Sequence, residues 1–518
     1  MTQELTADPV LGRLADAVLI PPFPGPRAPG WIRAALTDGL AGVTLFGPNV
    51  ADRAQLAALT ASLRAAAGPA AAESAAAALT AGAPVIAIDE EGGDVTRIFH
   101  QTGSEYPGNS ALGAADDVAL TEAVYAALGA DLRALGINLD LAPSVDVNTA
   151  ADNPVIGTRS FGSDPALVAR HGAAAVAGLQ SAGVAACAKH FPGHGSTTLD
   201  SHLVVATVDA PLSVLRKREL PPFAAAIDAG VRAIMPSHIR VPELTGDLPA
   251  SISARALTGL LRGELGFTGV IVSDGLEMRA VSERYGIPEA AVLAVIAGTD
   301  LLCLGRDQDR RMCLAVKAAL VEAVRSGRLP GARLEEAAAR VDELRAWMAA
   351  AAEAADSRGP VGPVRGAAAR EAVGLAAARR AVRAEGSIPA PRDPLVVQLV
   401  PPANLAVGEV PWGLRPWVAA DSYREVSTGT APGGVPALLA GLLAEATGRT
   451  LIIVTRDAHR HPVAEDVAAS LLAARPDAVL VEMGIPAWRP ATGAYVASYG
   501  ASRSSGQAVA EVLGLAWP

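Results

Sequence analysis

Up to Leu304 the chain alternates short apolar runs with longer stretches of helical spacing. Eight runs read as strands: Val18–Ile20, Val43–Phe46, Val85–Ile88, Ile137–Leu141, Val184–Ala188, Ala233–Met235, Val270–Val272 and Leu301–Leu304. Between most of them lie Ala/Leu-rich stretches such as Arg53–Ala66, Ala119–Leu135 and Leu167–Ala182. In these the apolar positions recur at three- and four-residue intervals, the signature of a helix with one buried face. Strands apolar throughout that alternate with helices predict an α/β fold on a parallel sheet buried on both sides. A count of eight predicts a (β/α)8 barrel rather than an open sheet.

The pattern changes near Ala355. Ser357-Arg-Gly-Pro-Val-Gly-Pro363 is rich in turn formers and reads as a linker. A helix (Gly366–Ala384) and a Pro-rich connection (Ser387–Pro394) follow. Leu395–Leu399, Leu451–Val454 and Ala478–Val481 then read as buried strands, separated by helices Val435–Ala446 and Val463–Ala474. The expected organisation is a barrel over residues 1–356, a linker and connecting helix over 357–392, and a smaller α/β sandwich over 393–518. No internal repeat is seen, and the Ala-rich stretch Ala65–Ala81 reads as helix.

Composition narrows the class. Of 518 residues, 51% are hydrophobic and 19% charged, a globular balance. The net charge of −10 is spread along the chain without a basic patch, which argues against nucleic acid or an anionic membrane as partner and suits a neutral substrate. Three cysteines (Cys187, Cys303, Cys313) cannot build a disulfide framework, and the first two sit in apolar runs as small hydrophobes. Met1–Leu14 carries acids and lacks a basic segment followed by an apolar one, so no signal peptide is expected. Nor does any stretch reach the ~20 apolar residues of a membrane span. The expectation is a soluble cytoplasmic protein.

Polar residues collect at one end of the strands. Asp89, Asp140, Lys189, His190, His238 and Asp274 all fall at or just past the C-terminal ends of apolar runs, where the loops of a barrel build its site. The densest signal is Lys189-His-Phe-Pro-Gly-His-Gly195 followed by Asp200-Ser-His202. Pro192, Gly193 and Gly195 break regular structure, so these polar groups are expected to ride a loop leaving the fifth strand. Three readings stand open here. His190, His194 and His202 could ligate a metal, although Lys189 beside them opposes a cation. They could be structural. Or Asp200 could orient His202 for acid–base chemistry.

The same segment resembles the signature of bacterial glycoside hydrolase family 3 β-N-acetylglucosaminidases. Other segments resemble that family in the same order: Ile88-Asp-Glu-Glu-Gly-Gly93 with Arg97, Gly157-Thr-Arg-Ser-Phe-Gly162, Pro249-Ala-Ser-Ile-Ser253, and Leu261 through Val272-Ser-Asp-Gly-Leu-Glu-Met278. The resemblance implies a retaining exo-glycosidase that needs no cofactor and no metal. Asp274 would be the nucleophile, with Asp200 and His202 an acid/base dyad in place of the usual second carboxyl. Asp89, Arg97, Arg159, Lys189 and His190 would bind sugar hydroxyls, with Gly92–Gly93 making a turn that brings Asp89 and Arg97 to one ring. For Asp274 the competing reading is a cap on the following helix.

Three positions depart from the family pattern: Asp94 where arginine is usual, Ser196–Thr197 where Asp-Thr is usual, and Gly275 where a second acid is common. They leave the chemical groups in place and point to the aglycone side. Some two-domain relatives pass the sugar to phosphate instead of water, and a neutral His202 with Lys189, Arg97 and Arg159 nearby would tolerate that anion. Readings from other classes are a metal-dependent barrel hydrolase and a non-catalytic sugar-binding relative. In the C-terminal half, Ser427–Gly434 reads as a turn, His459 and His461 as solvated, and Tyr499-Gly-Ala-Ser-Arg503 resembles the family's closing strand and turn.

Overall fold

The computed structural model describes residues 9–68, 83–199, 205–358, 367–402, 407–429 and 435–515. Eight strands stand where the eight apolar runs do: β1 (Leu19–Ile20), β2 (Gly42–Leu45), β3 (Val85–Ile88), β4 (Leu139–Asp140), β5 (Ala185–Phe191), β6 (Ala233–Pro236), β7 (Val270–Ile271) and β8 (Leu302–Cys303). Strands β2 to β7 form a parallel sheet in sequence order, and β8 pairs in parallel with β1. The ring is completed by a bridge between Val272 and Leu301 and by the Thr44 N–H donating to the Pro21 carbonyl at 3.3 Å.

Alternation along each strand separates two apolar layers. Val85, Ala87, Leu139, Leu141, Ala185, Cys187, Ala233 and Met235 belong to the cluster inside the barrel. Their neighbours Ile86, Ile88, Ala186, Ala188 and Ile234 belong to the larger cluster shared with the outer helices. Helix Gly331–Arg358 adds Val341, Leu344 and Met348 to the inner cluster. Its Arg345 donates to the Ala83 carbonyl just before β3, and Trp347 lies under Arg232 just before β6. This helix therefore crosses the N-terminal end of the strands, and the C-terminal end is left as the mouth.

The second sheet is built from β9 (Arg383–Gly386), β10 (Leu395–Val400), β11 (Tyr423–Ser427), β12 (Leu451–Thr455), β13 (Val479–Glu482) and β14 (Ala494–Ala497), in the order β11-β10-β12-β13-β14-β9. Its pairs are parallel except β14–β9. Helices Val435–Glu445 and Pro462–Ala474 cover one face, and helix Arg503–Val512 covers the other with Trp417.

Three of these strands leave no mark in the hydrophobic pattern. The helix expected over Gly366–Ala384 is Ala367–Ala381, and its last residues belong to the edge strand β9, which is exposed along its length and so carries no apolar run. β11 is the opposite edge and half exposed. β14 is only four residues long, two of them alanine. Much of the expected linker and most of the Ala-rich stretch after Ala67 lie outside the described residues. No helix among the described residues is long and apolar enough to cross a membrane.

Candidate active site

Asp89 follows β3 directly and begins a turn, Asp89–Asp94, whose backbone needs two glycines. Gly92 and Gly93 sit at φ +72° and +58°, and a Cβ on Gly93 would come within 2.4 Å of the Gly108 Cα. Within the turn the buried Glu90 carboxylate accepts from the backbone N–H of Arg97 (2.7 Å) and Ile98 (2.9 Å), fixing the segment that carries Arg97. Its own N–H donates to Asp140 Oδ1 at 3.0 Å.

Lys189 and His190 lie within β5 itself, a correction to the loop expected from Pro192 and the glycines. The strand runs on to Phe191, with its register against β6 slipping between Lys189 and Phe191. The Lys189 Nζ lies 2.7 Å from both Asp89 Oδ1 and Glu91 Oε1. Arg159, closing the short turn Gly157–Arg159, meets Glu91 with two parallel bonds, Nε to Oε2 at 2.9 Å and Nη2 to Oε1 at 2.7 Å. Burial alone would raise the Glu91 carboxyl, but Arg159 and then Lys189 outweigh it and hold the group well below the usual carboxylate range. Burial acts against the Lys189 charge too, yet Asp89 and Glu91 push its pKa upward. The result is a network of two carboxylates and two cations in which Glu91, Lys189 and Arg159 are buried and Asp89 is 22% exposed.

A second carboxylate, Asp146, organises the histidines. It accepts from His190 Nδ1 (2.7 Å), from the backbone N–H of His194 (2.6 Å) and from Ser144 Oγ (3.0 Å). Burial opposes its ionisation, but His190 wins and its pKa falls to about 2. With Nδ1 donating to Asp146, the Nε2 of His190 faces Arg159 Nη2 at 3.3 Å as an acceptor. Both ring nitrogens are thus engaged, one by a guanidinium, which is no arrangement for a metal ligand. His194 is pushed down by burial to about 4, against the pull of Asp146, and its Nδ1 lies 2.8 Å from Thr197 Oγ1.

Asp274 stands three residues past β7, half-buried, with Oδ1 accepting from the Gly275 N–H at 2.8 Å. The helix after it is Arg279–Tyr285, with Met278 at its cap position, so Asp274 does not cap it. The buried His238 donates through Nε2 to the Gly275 carbonyl (3.0 Å), while its Nδ1 accepts from Ser251 Oγ (2.6 Å). Gly275 also leaves room for the Glu277 carboxylate, which a Cβ there would meet at 2.4 Å. Glu277 Oε1 in turn accepts from the Arg306 N–H at 2.7 Å.

These groups converge. A cavity of about 610 Å³ is lined by Asp89, Arg97, Arg159, Lys189, His190 and Asp274. Glu91, His194 and Glu277 line it as well, and Val407–Val410 of the C-terminal half form part of its wall. Asp200 and His202 lie outside the described residues. Asp94, expected to bear on the aglycone side, is instead buried against the second sheet: it meets Arg456 at 3.1 Å and accepts from the Ala501 N–H at 3.0 Å. His459, expected to be solvated, places Nε2 2.8 Å from the Ala151 carbonyl.

Glu91, Asp146 and Glu277 are charged groups of the cavity region that the sequence pattern does not single out: Glu91 and Glu277 stand unmarked inside the family-like segments Ile88–Gly93 and Leu261–Met278, and Asp146, between two valines six residues past β4, carries no local signal.

Known proteins share both the sequence and the architecture. Residues 32–344 match the model of the glycosyl hydrolase family 3 N-terminal domain. The chain is 35% identical over 327 residues to the Beta-hexosaminidase A of Pseudoalteromonas piscicida, covering 59% of this chain and only 53% of that protein. It is 38% identical over 271 residues to the Beta-hexosaminidase of Stenotrophomonas maltophilia strain K279a, covering 51% and 76% respectively. The structure of a glycoside hydrolase family 3 beta-N-acetylglucosaminidase from Paenibacillus sp. str. FPU-7 superposes with a TM-score of 0.82 at 32% identity, over 97% of this chain and 96% of that one.

Proposed function

The chain belongs to glycosyl hydrolase family 3, and we propose that within it the protein is a retaining exo-β-N-acetylglucosaminidase that removes a terminal β-linked N-acetylglucosamine. The observation that carries this reading is the convergence of Asp274 with Asp89, Arg97, Arg159, Lys189 and His190 on one cavity of about 610 Å³, a volume suited to a sugar and part of its aglycone. Charged donors and acceptors already fixed by one another meet the hydroxyls of a bound ring without reorganising.

In the proposed sequence Asp274 attacks the anomeric carbon, while His202, oriented by Asp200, protonates the departing oxygen. His202 then deprotonates the incoming water, and the second displacement restores the β configuration. The imidazolium that gives up its proton in the first step is a neutral imidazole when it deprotonates water in the second, so the base adds no second negative charge beside Asp274 and the acetamido group. His238, itself held by Ser251, donates to the Gly275 carbonyl and so fixes the backbone that carries Asp274.

Transfer to phosphate draws no support from the site's charge. Lys189 is balanced by Asp89 and Glu91, and Arg159 by Glu91, so two of the three cations expected to attract the anion are neutralised. The test is hydrolysis of an aryl N-acetyl-β-glucosaminide followed by proton NMR. The β-anomer should appear first, and early α-anomer would overturn the retaining mechanism.

A further inference from the structure

The wall formed by Val407–Val410 shows that the second sheet reaches the cavity, and one side chain connects the two. Arg456 follows β12 directly. Its guanidinium lies 3.1 Å from Asp94 Oδ2 and 5.7 Å from the centre of the Trp412 ring. Asp94 belongs to the turn that presents Glu91, and Trp412 stands two residues past the cavity-lining Val410. We propose that Arg456 is a positioning residue for the glycosidase site: through Asp94 it holds the Glu91–Arg159 pair in place, and through Trp412 it holds the Val407–Val410 wall. This rests on the activity proposed above.

On the barrel side the leverage is direct. Asp94 lies three residues after Glu91 across the Gly92–Gly93 turn. Its Oδ2 also accepts from Thr158 Oγ1 at 2.7 Å, and Thr158 precedes Arg159. One carboxylate therefore grips both segments that bring Glu91 and Arg159 together. The Asp94 side chain is only 2% exposed, and among the described residues Arg456 is the cation within ion-pair distance of it. Losing that cation leaves a buried charge to draw in water or to move, and either displaces the turn.

The carrier of Arg456 is stiff enough to transmit this. The buried Glu482 at the end of β13 accepts from Asp457 N–H (2.8 Å), Gly484 N–H (2.6 Å) and Thr455 Oγ1 (2.9 Å). These bonds pin the backbone on both sides of Arg456. Three residues on, His459 meets the Ala151 carbonyl at 2.8 Å, in the segment whose Asn153 Nδ2 donates to the His194 carbonyl at 2.9 Å. The loop after β12 thus touches both barrel segments that shape the cavity.

The experiment compares full-length parent, Arg456→Ala, Arg456→Lys, Asp94→Asn and the Arg456→Ala/Asp94→Asn double variant. Readouts are kcat/KM on an aryl N-acetyl-β-glucosaminide, the dissociation constant of N-acetylglucosamine by calorimetry, and melting temperature. Each single variant should lose about tenfold or more in kcat/KM, and the double variant should lose no more than the worse single, since both break one contact. N-acetylglucosamine binding should weaken in step, and Arg456→Lys should recover part of both losses. Values within about twofold of the parent in both single variants, or losses that multiply in the double variant, overturn the proposal. If Arg456→Ala does not fold, Arg456→Lys and Asp94→Asn decide the question by the same criteria. If the parent cleaves no N-acetylglucosaminide, the activity reading falls, and the dissociation constants alone decide the positioning role.

Discussion

Glu91 gives the sharpest test of the buried network. Glu91→Gln keeps the shape of the side chain and removes one charge from between two cations. Lys189 retains Asp89 at 2.7 Å, but Arg159, 8% exposed, loses the carboxylate that meets it at 2.7 Å. Leaving one member of a buried pair uncompensated costs roughly 3–5 kcal/mol. At about 1 °C per kcal/mol for a chain of 518 residues, the melting temperature should fall by about 3–5 °C. Asp89→Asn is the control: its side chain is 22% exposed and Lys189 keeps Glu91, so the cost should be about 1 kcal/mol.

The gap between parent and Glu91→Gln must also depend on pH in one direction. The folded pKa of Glu91 is depressed below its ordinary 4.5, so its stabilisation is fully present above that value and lost as pH falls beneath it. Calorimetry or circular dichroism at pH 7.5, 5.5 and 3.5 reads this directly. Equal costs for the two substitutions at pH 7.5, or a gap that does not shrink at pH 3.5, would refute the picture of Glu91 as a buried carboxylate held ionised by Arg159 and Lys189.

Other outcomes follow from the same geometry. Asp274→Ala should lower turnover on aryl N-acetyl-β-glucosaminides by several orders of magnitude while N-acetylglucosamine still binds by calorimetry; retained turnover removes Asp274 from the nucleophile role. His194, lowered from 6.5 to about 4, binds more protons unfolded than folded between those values. Its contribution of about 3 kcal/mol is therefore present above pH 6.5 and lost as pH falls through 4; a His194→Gln variant should show a flatter melting-temperature profile across that window. His238→Phe leaves the Gly275 carbonyl without its donor and should reduce kcat more than it raises KM, which steady-state kinetics will decide. Phosphate up to tens of millimolar, well above a weak site's dissociation constant, should change neither rate nor product, and accumulation of a sugar 1-phosphate would reverse the assignment to hydrolysis.

How much of this is legible in the chain depends on whether a feature repeats. The barrel strands are buried on both faces, so each leaves an apolar run that periodicity finds. All eight runs lie within a residue or two of the observed strand limits, β5 excepted, which continues three residues beyond its apolar run. β9 and β11 are the two edges of their sheet and carry polar, exposed side chains, so the same criterion passes over them. Lys189 and His190 read as loop for a related reason. A strand that ends in polar residues aimed at a cavity has no apolar pattern to mark its last positions.

The candidate site divides along a different line. Asp89, Lys189, His190 and Asp274 can be named from sequence because each sits in a local motif at or just past a strand end, and Arg97 and Arg159 because their segments resemble the family's. Their pairings cannot. Asp146 reaches His190 across 44 positions, Glu91 reaches Arg159 across 68, and Asp94 meets the Ala501 N–H across 407. A carboxylate's role in such a pair is set by what burial does to an ionised group, which must find a compensating charge or become neutral. That requirement is invisible until the fold brings distant segments together. Asp94 carries the point furthest: taken alone it is an acid displacing an expected base beside two glycines, and only the second sheet supplies the Arg456 that makes its negative charge tenable there.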